Sequence, residues 1–122
     1  MFAFHISSGK FYQDEELIGS GYSGQPPHVG VVADINLENK GPIPLGNYTV
    51  GAAFTHPLLG PLTMRLTPYP SNVMYGRSHF CIHGDSAAHP GYASDGCVIL
   101  DHNLRQIVAT ALAYDRILIV CS

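Results

Sequence analysis

Polar and apolar residues alternate over several short segments of the chain, and a period of two is the pattern of half-buried β-strands. The clearest segment spans residues 62–67, in which Leu62, Met64 and Leu66 alternate with polar residues. Similar patterns, together with β-branched content near the C-terminus, predict further strands at residues 2–6, 10–13, 47–54, 79–83, 98–100 and 116–121.

One segment has the period of an amphipathic helix instead. Asp101 or Asn103 precedes it and is a suitable N-cap, and the helix is expected to end before Asp115. Its predicted apolar stripe consists of Leu104, Ile107, Val108, Ala111 and Leu112.

Thirteen Gly and nine Pro are scattered between these segments, which predicts many turns. Residues 19–24, followed by Pro26 and Pro27, are predicted to be a loop because neither a helix nor a strand tolerates this density of Gly and Pro. Residues 39–46 form a second predicted turn. Residues 29–34 are apolar and have no clear period.

A length of 122 residues is sufficient for one hydrophobic core. We therefore predict a single domain over residues 1–122: compact, mainly β, with a sandwich-like or barrel-like and mostly antiparallel sheet, and with one packed α-helix. Six Lys and Arg and a net charge of −3 argue against nucleic acid as a partner. No apolar run has membrane-spanning length, so no transmembrane segment is predicted.

The N-terminal residues lack the basic region, the long apolar region and the cleavage site of a secretory signal peptide. A chain that starts in this way is not expected to follow the general secretory route. It would function in the cytoplasm, be a fragment of a longer chain, or be exported by a dedicated machine.

The most informative candidate residues are His83 and Cys97. A thiol is a strong nucleophile that needs a base to hold it as thiolate near neutral pH. Gly96, directly before the cysteine, permits a tight turn that presents the sulfur and leaves neighbouring amides free to bind an oxyanion. The pattern therefore indicates acyl-transfer chemistry.

The remaining cysteines are Cys81 and Cys121, which gives an odd total. Both lie in apolar strand-like segments, so we expect them to be buried free thiols, although a disulfide between them stays open.

The elements His83-Gly84 and Ser94-x-Gly96-Cys97 resemble the signature of the YkuD-type L,D-transpeptidase family. More narrowly, the type VI secretion L,D-transpeptidase effectors are similar to this chain in three further motifs. These are Gly-x-Gly-Tyr-Ser-Gly at residues 19–24, Gly-Pro-Ile-Pro-x-Gly-x-Tyr at 41–48 and Ile-His-Gly-Asp at 82–85.

The resemblance implies a role for each matching residue. Cys97 would attack the carbonyl that joins the third residue of a peptidoglycan stem peptide to the terminal D-Ala, and His83 would transfer the protons. The backbone of Gly84 would fix the imidazole tautomer, the amides of Gly96 and Cys97 would form the oxyanion hole, and Ser94 would brace the turn. Water as acceptor gives an L,D-carboxypeptidase, and an amine gives exchange or crosslinking. No cofactor is implied.

The chain departs from the family pattern at two positions. Asp95 replaces a common histidine and would raise the pKa of the thiol unless its carboxylate points away. An arginine that commonly follows the cysteine is missing, and Arg77 or Arg65 would have to bind the substrate carboxylate instead. Tyr22 would line the cleft or pack in its loop, and Asp85 would orient the site or form a turn. The candidate substrate-binding residues are thus Tyr22, Arg77, Asp85 and Asp95.

The narrower resemblance also implies partners and a location. Such effectors are made in the cytoplasm without a signal peptide and act in the periplasm of a target bacterium. The expected partners are peptidoglycan stem peptides, a cognate immunity protein and components of the secretion apparatus. On this interpretation the protein is an antibacterial toxin.

Three other functions compete with this interpretation. A non-catalytic peptidoglycan-binding module would use the same cleft. A zinc hydrolase would take His79, Cys81, His83 and nearby His89 as ligands, because the first three alternate along one strand. Papain-like and NlpC-like hydrolases place the cysteine before the histidine, and the reversed order here disfavours them.

Overall fold

A computed structural model describes all residues from 1 to 122 and contains ten strands and one α-helix. The predicted fold class, a mainly β domain with one helix and a barrel-like sheet, is confirmed. The strands are β1 (Phe2–His5), β2 (Lys10–Gln13), β3 (Glu16–Ser20), β4 (Tyr22–Ser23), β5 (Gly46–Val50), β6 (Phe54–His56), β7 (Gly60–Pro68), β8 (Phe80–His83), β9 (Val98–Ile99) and β10 (Ile117–Cys121).

The strands form one sheet in the order β3-β2-β1-β10-β5-β7-β8-β9-β4, and β6 pairs with β7 beside this path. The pairs β1–β10 and β8–β9 are parallel, and all other pairs are antiparallel. The expected predominance of antiparallel pairing is therefore correct. The one parallel pair that matters for the site is β8–β9.

The two ends of this strand order are β3 and β4, yet only Gly21 separates them in the sequence. The sheet must therefore curl until its ends approach each other. A Cβ atom at Gly21 would lie 2.0 Å from the carbonyl oxygen of Ile99, so only glycine fits at this crossing.

The predicted loop over residues 19–24 is accordingly wrong in part. Gly19 and Ser20 belong to β3, and Tyr22 and Ser23 form β4, which pairs with β9. Close approach to neighbouring elements explains the glycines: a Cβ at Gly19 would lie 2.6 Å from a methyl group of Leu104.

Other predicted boundaries also differ, most of them by one or two residues at a strand end. The predicted strand 47–54 is two strands, β5 and β6, that are separated by residues 51–53. Strand β8 begins at Phe80 because His79 has a φ of 67°, which lies outside the β region. Residues 29–34 contain turns and a short 3-10 helix, Val32–Asp34.

The helix α1 (His102–Ala111) follows β9 and packs on the sheet, with the Asp101 side chain accepting from the Leu104 amide at 2.8 Å. Of the two predicted N-caps, Asp101 is correct. The predicted stripe is wrong at Ile107, which is 39% exposed, whereas Arg105 is buried. Arg105 tolerates burial because it donates to backbone carbonyls, including that of Pro61 at 2.7 Å.

The core is formed by the inward faces of the strands and by the apolar face of α1. Along β7, Met64 and Leu66 are buried and Arg65 is exposed, as the alternation predicts. The alternation is wrong at the start of the segment: Leu62, with a φ of 53°, is only half-buried, and Thr63 is buried with its hydroxyl donating to the Gly60 carbonyl at 2.9 Å. No helix combines the length and the apolar character that crossing a bilayer would require.

Candidate active site

His83 and Cys97 are brought together by the parallel pair β8–β9. Ile82 lies opposite Val98, and both residues face the core. Since side chains alternate along a strand, His83 and Cys97 both lie on the opposite face of this pair. Both also line one cleft of ≈ 320 Å³.

The other residues along this cleft are mostly polar and come from several loops, among them Glu38, Asn39, Arg77, His79 and Asp95. A larger cavity of ≈ 570 Å³ lies along β1 and β2 and is lined by neither Cys97 nor His83. The smaller cleft is therefore the candidate active site, because it contains the candidate nucleophile Cys97 and the candidate base His83.

The His83 ring is buried and held in one tautomer. Its Nδ1 lies 2.8 Å from the carbonyl oxygen of Gly84. Because a carbonyl only accepts hydrogen bonds, Nδ1 must carry the proton, which leaves Nε2 with a lone pair in the neutral ring.

Electrostatics also favour a neutral His83. Burial lowers the pKa of its imidazole, and the nearby charges of Arg105 and His56 lower it further, against the opposing effects of the Gly84 hydrogen bond and of Asp85. The net direction is downward from the ordinary value. At neutral pH the ring is therefore an unprotonated base.

Ser94 organises the turn that carries Cys97. Its hydroxyl accepts hydrogen bonds from the amides of Gly24 at 2.9 Å and Gly96 at 3.1 Å, and it donates to the Cys97 carbonyl at 2.6 Å. The hydroxyl is buried, so these three bonds fix the turn relative to the loop that follows β4.

A second buried serine, Ser23, holds the same turn and was missed by the sequence analysis. It donates to the carbonyl of Gly96 at 2.8 Å and accepts from the amide of Ile43 at 2.9 Å. The position of Ser23 in the Gly-Tyr-Ser-Gly motif was the only sequence signal for this role. Its hydroxyl connects that motif to the Ser-x-Gly-Cys turn through Gly96 and to the Gly-Pro-Ile-Pro turn through Ile43.

The amides of Gly96 and Cys97 differ in whether they are already paired within the protein. The Gly96 amide already donates to Ser94, whereas the Cys97 amide donates to no acceptor within the protein. Gly96 has a φ of 137°, and a Cβ there would lie 2.5 Å from the Arg77 guanidinium. Of these two amides, only that of Cys97 is therefore free to donate to a bound group.

Arg77 is buried beneath the cleft and is committed to backbone carbonyls. Its guanidinium donates to the carbonyls of Ile35, Gly41, Pro42 and Asp95 at 2.6 to 3.2 Å. Four of its five N–H groups are thus in use, which supports a role in holding the surrounding loops.

The exposed side chain of Asp95 lies near Gln25, with 3.4 Å between its Oδ1 and Nε2 of the glutamine.

Tyr22 and Asp85 do not line the cleft but fix the loop that connects His83 to Cys97. The Tyr22 hydroxyl donates to Asp85 at 2.6 Å and accepts from the Ala93 amide at 3.0 Å. Asp85 also accepts from the amides of Ser86 and Gly91. Burial and the Asp85 hydrogen bond raise the pKa of Tyr22 to about 12, so the phenol remains a donor.

Cys81 lies next to Cys97, which the sequence analysis did not anticipate. The Cys81 amide donates to the Cys97 sulfur at 3.3 Å. The Cys97 thiol's hydrogen bond lowers the pKa of Cys81 to about 7, against the effect of burial, and the charge of Arg65 lowers it further. The hydrogen bond between the two thiols, burial and the charge of Asp95 raise the pKa of Cys97, against the opposing effect of the Cys81 amide. Together the two thiols lose one proton readily and the second with difficulty.

The three cysteines are free and partly exposed, so the expected burial of Cys81 and Cys121 is wrong. A disulfide between them is excluded because β5 and β7 separate β10 from β8. Three strand spacings amount to about 14 Å, far beyond the reach of a disulfide.

The zinc alternative finds no support in the side-chain arrangement. No three His, Cys, Asp or Glu side chains converge in a way that would hold a metal ion. His79 is exposed, and its Nδ1 is paired with the Ser78 hydroxyl at 2.9 Å.

Comparison with known proteins identifies relatives of this chain. The sequence model of a family described as Tlde1 domain matches residues 18–120, a range that includes the whole candidate site. No curated protein sequence matches the chain significantly.

The fold is similar to that of the helical cell shape determining protein Pgp2 from Campylobacter jejuni, with a TM-score of 0.61 and 16% sequence identity. The likeness covers 98% of this chain and 46% of that chain, so this chain spans less than half the length of its structural neighbour. At this level of identity the similarity shows the fold.

Proposed function

Because the chain belongs to the Tlde1 domain family, the family of type VI secretion L,D-transpeptidase effectors, we propose that it is a cysteine acyl-transferase that modifies peptidoglycan. The observation that carries this proposal is the placement of His83 on β8 and of Cys97 directly before the neighbouring strand β9, so that both line one cleft, with the Nε2 lone pair of the histidine available. Membership of the wider YkuD-type family remains a prediction.

In the proposed first step, Nε2 of His83 takes the thiol proton of Cys97, and the sulfur attacks the carbonyl between the third stem residue and the terminal D-Ala. The negative charge on the carbonyl oxygen is stabilised by the free amide of Cys97. The C–N bond then breaks, His83 protonates the departing amine, and a thioester remains on the sulfur.

In the second step an acceptor resolves the thioester. His83 takes a proton from water or from an amine, the acceptor attacks the thioester carbonyl, and the thiol of Cys97 is restored. Water releases a tripeptide, as in an L,D-carboxypeptidase. A D-amino acid gives exchange, and a second stem peptide gives a crosslink.

Cys97 is the proposed nucleophile in preference to Cys81, although the two sulfurs share a proton. Cys97 lines the cleft together with His83, whereas Cys81 does not. The Cys81 amide donates to the Cys97 sulfur and favours its thiolate, but the Cys81 thiol and burial outweigh this effect and raise the pKa of Cys97. The proposed reaction therefore depends on His83 to remove the Cys97 proton.

The proposal extends to location and biology. The protein acts in the periplasm of a target bacterium as an antibacterial toxin, and the producing cell carries an immunity protein that covers the Cys97 cleft. The family match supports export through a type VI apparatus, a route that does not depend on a signal peptide.

Mass spectrometry of muropeptides tests this proposal. Disaccharide-tetrapeptide is incubated with wild type, Cys97→Ala and Cys81→Ser, with and without a free D-amino acid. We expect loss or exchange of the terminal D-Ala with wild type and with Cys81→Ser, and no product with Cys97→Ala. Product from Cys97→Ala would refute the assigned nucleophile. Binding of the tetrapeptide without turnover by folded wild type would instead establish a non-catalytic binding module.

A further inference from the structure

We propose that Cys81 and Cys97 are a redox pair whose disulfide is the inactive form of the protein. The consequence for activity rests on the proposed function, whereas the disulfide itself does not. Neither the family match nor the proposed mechanism assigns a role to the side chain of Cys81.

The register of β8 and β9 places the two residues side by side. Each immediately precedes one member of the Ile82–Val98 pair, so they occupy opposite positions in a parallel pair. Strands in a sheet lie about 4.8 Å apart. This separation falls within the Cα–Cα range of about 4.4 to 6.8 Å that disulfides require.

The side chains also point to the same side. Ile82 and Val98 face the core, and the preceding residues therefore both face away from it. The Cys97 sulfur already contacts the Cys81 amide at 3.3 Å, so it leans toward the neighbouring strand. The two thiols are also hydrogen-bonded to each other, so the sulfurs are neighbours before any oxidation.

The surroundings make this pair reactive. Both cysteines are partly exposed, and Cys97 opens into the cleft. Arg65 lies opposite Cys81 on β7, and its positive charge favours a thiolate there. A thiolate beside a second thiol, with access to solvent, is the requirement for thiol–disulfide exchange.

The reaction is balanced with a small-molecule disulfide such as oxidised glutathione as the oxidant. One cysteine thiolate attacks a glutathione sulfur, the glutathione S–S bond breaks, and one reduced glutathione leaves. The second cysteine loses its proton and attacks the resulting mixed disulfide, which releases the second glutathione. Two protein thiols are oxidised, and one disulfide is reduced to two thiols.

The disulfide would remove the nucleophile of the proposed reaction, since a sulfur bonded to Cys81 cannot form a thioester. Cys121 cannot compete for either sulfur because two strands lie between β10 and β8. The third cysteine therefore supplies a matched control.

The test is peptide mapping of the folded protein after incubation with oxidised glutathione, with remaining thiols blocked by an alkylating agent. We expect one crosslinked peptide pair that joins Cys81 to Cys97, lost in Cys81→Ser and Cys81→Ala and retained in Cys121→Ser. Adducts of glutathione alone, or a bridge to Cys121, would overturn the proposal.

Turnover of the tetrapeptide is measured on the same samples. Oxidised wild type should lose its activity and recover it after treatment with dithiothreitol. Full activity in a bridged sample would contradict the inactive state. A bridge in a protein that shows no turnover even when reduced would refute the proposed function and leave the disulfide established.

Discussion

At the scale of single residues, the environment of the His83 imidazole most directly sets the pH range of the proposed reaction. Burial and the charge of Arg105 lower its pKa, so the base should stay unprotonated below the ordinary value of about 6.5. We therefore expect kcat/KM of the wild type to remain high at pH 6.5 and to fall only at more acidic pH.

Substitution of Arg105 tests this cause. The pKa of His83 should rise in Arg105→Gln, and the acidic limb of the kcat/KM profile should move to higher pH. Arg105→Lys keeps the positive charge and loses only part of the hydrogen bonding to the carbonyls of Leu100 and Pro61, so its limb should stay near that of the wild type. Identical profiles for the two variants would show that the charge does not control the base.

A second prediction at this scale concerns the hydroxyl of Tyr22. Tyr22→Phe removes the donor to Asp85 and the acceptor of the Ala93 amide. We expect a loss of about 1 kcal/mol in the free energy of unfolding, measured by urea denaturation, and a lower kcat/KM because the loop before Cys97 is less fixed.

The neighbouring loop residue Tyr92 provides the control for this change, because it is 62% exposed. Tyr92→Phe should leave both measurements near the wild-type values. An equal effect of the two substitutions would argue against the Tyr22–Asp85 bond as the cause.

Among the elements, α1 depends on its N-terminal cap. The Asp101 carboxylate accepts from the Leu104 amide, and Leu104 packs into the core against β3. Asp101→Ala should lower the free energy of unfolding by about 1 kcal/mol, and Asp101→Asn, which retains a capping oxygen, should lower it much less. Thermal or urea denaturation of the two variants measures the difference. Equal losses would show that capping is not the cause.

The elements also show which parts of the fold are readable from the sequence. Strand β2 has the predicted bounds, and most of the predicted apolar positions of the helix and of β7 are buried because local patterns dominate there. Strands β3 and β4 were not predicted because Gly19 and Gly21 suggested a loop. The structure shows that these glycines are required instead by the close approach of Leu104 and Ile99. The predicted apolar stripe of the helix included Ile107 and left out Arg105. Arg105 is buried because it donates to the carbonyls of Leu100 and Pro61, and hydrophobic periodicity cannot predict such hydrogen bonds.

The same distinction holds for the candidate site. His83 and Cys97 could be identified because each lies in a local motif whose chemistry is explicit. The proximity of Cys81 to Cys97 depends on the register between β8 and β9, and that of Ser23 to Gly96 depends on how two distant loops pack. Arg77 could be named from the sequence, but its burial and its four carbonyl partners follow only from the folded arrangement.

At the scale of the whole molecule, the pairing of β4 with β9 both completes the curled sheet and fixes the strand that follows Cys97. The chain crosses from β3, at one end of the strand order, to β4, at the other end, at Gly21. Strand β4 then pairs with β9, which begins directly after Cys97. A substitution that prevents the close approach at Gly21 should therefore disrupt the β4–β9 pairing and leave the turn at Cys97 less fixed on that side.

Gly21→Ala tests this coupling. The added Cβ would lie 2.0 Å from the Ile99 carbonyl and 2.7 Å from a Leu100 methyl group, so the backbone has to move. We expect the free energy of unfolding to fall by more than about 3 kcal/mol, which is within the range of strongly destabilising core substitutions.

Gly51→Ala is the matched control, because its Cβ would meet the Arg65 carbonyl at 3.4 Å, an ordinary contact, and its effect should be small. Activity distinguishes coupling from simple loss of stability. If closure positions Cys97, Gly21→Ala should lower kcat/KM even at temperatures where circular dichroism shows the protein folded. A folded Gly21→Ala variant with wild-type kcat/KM would show that β9 holds the nucleophile without help from β4.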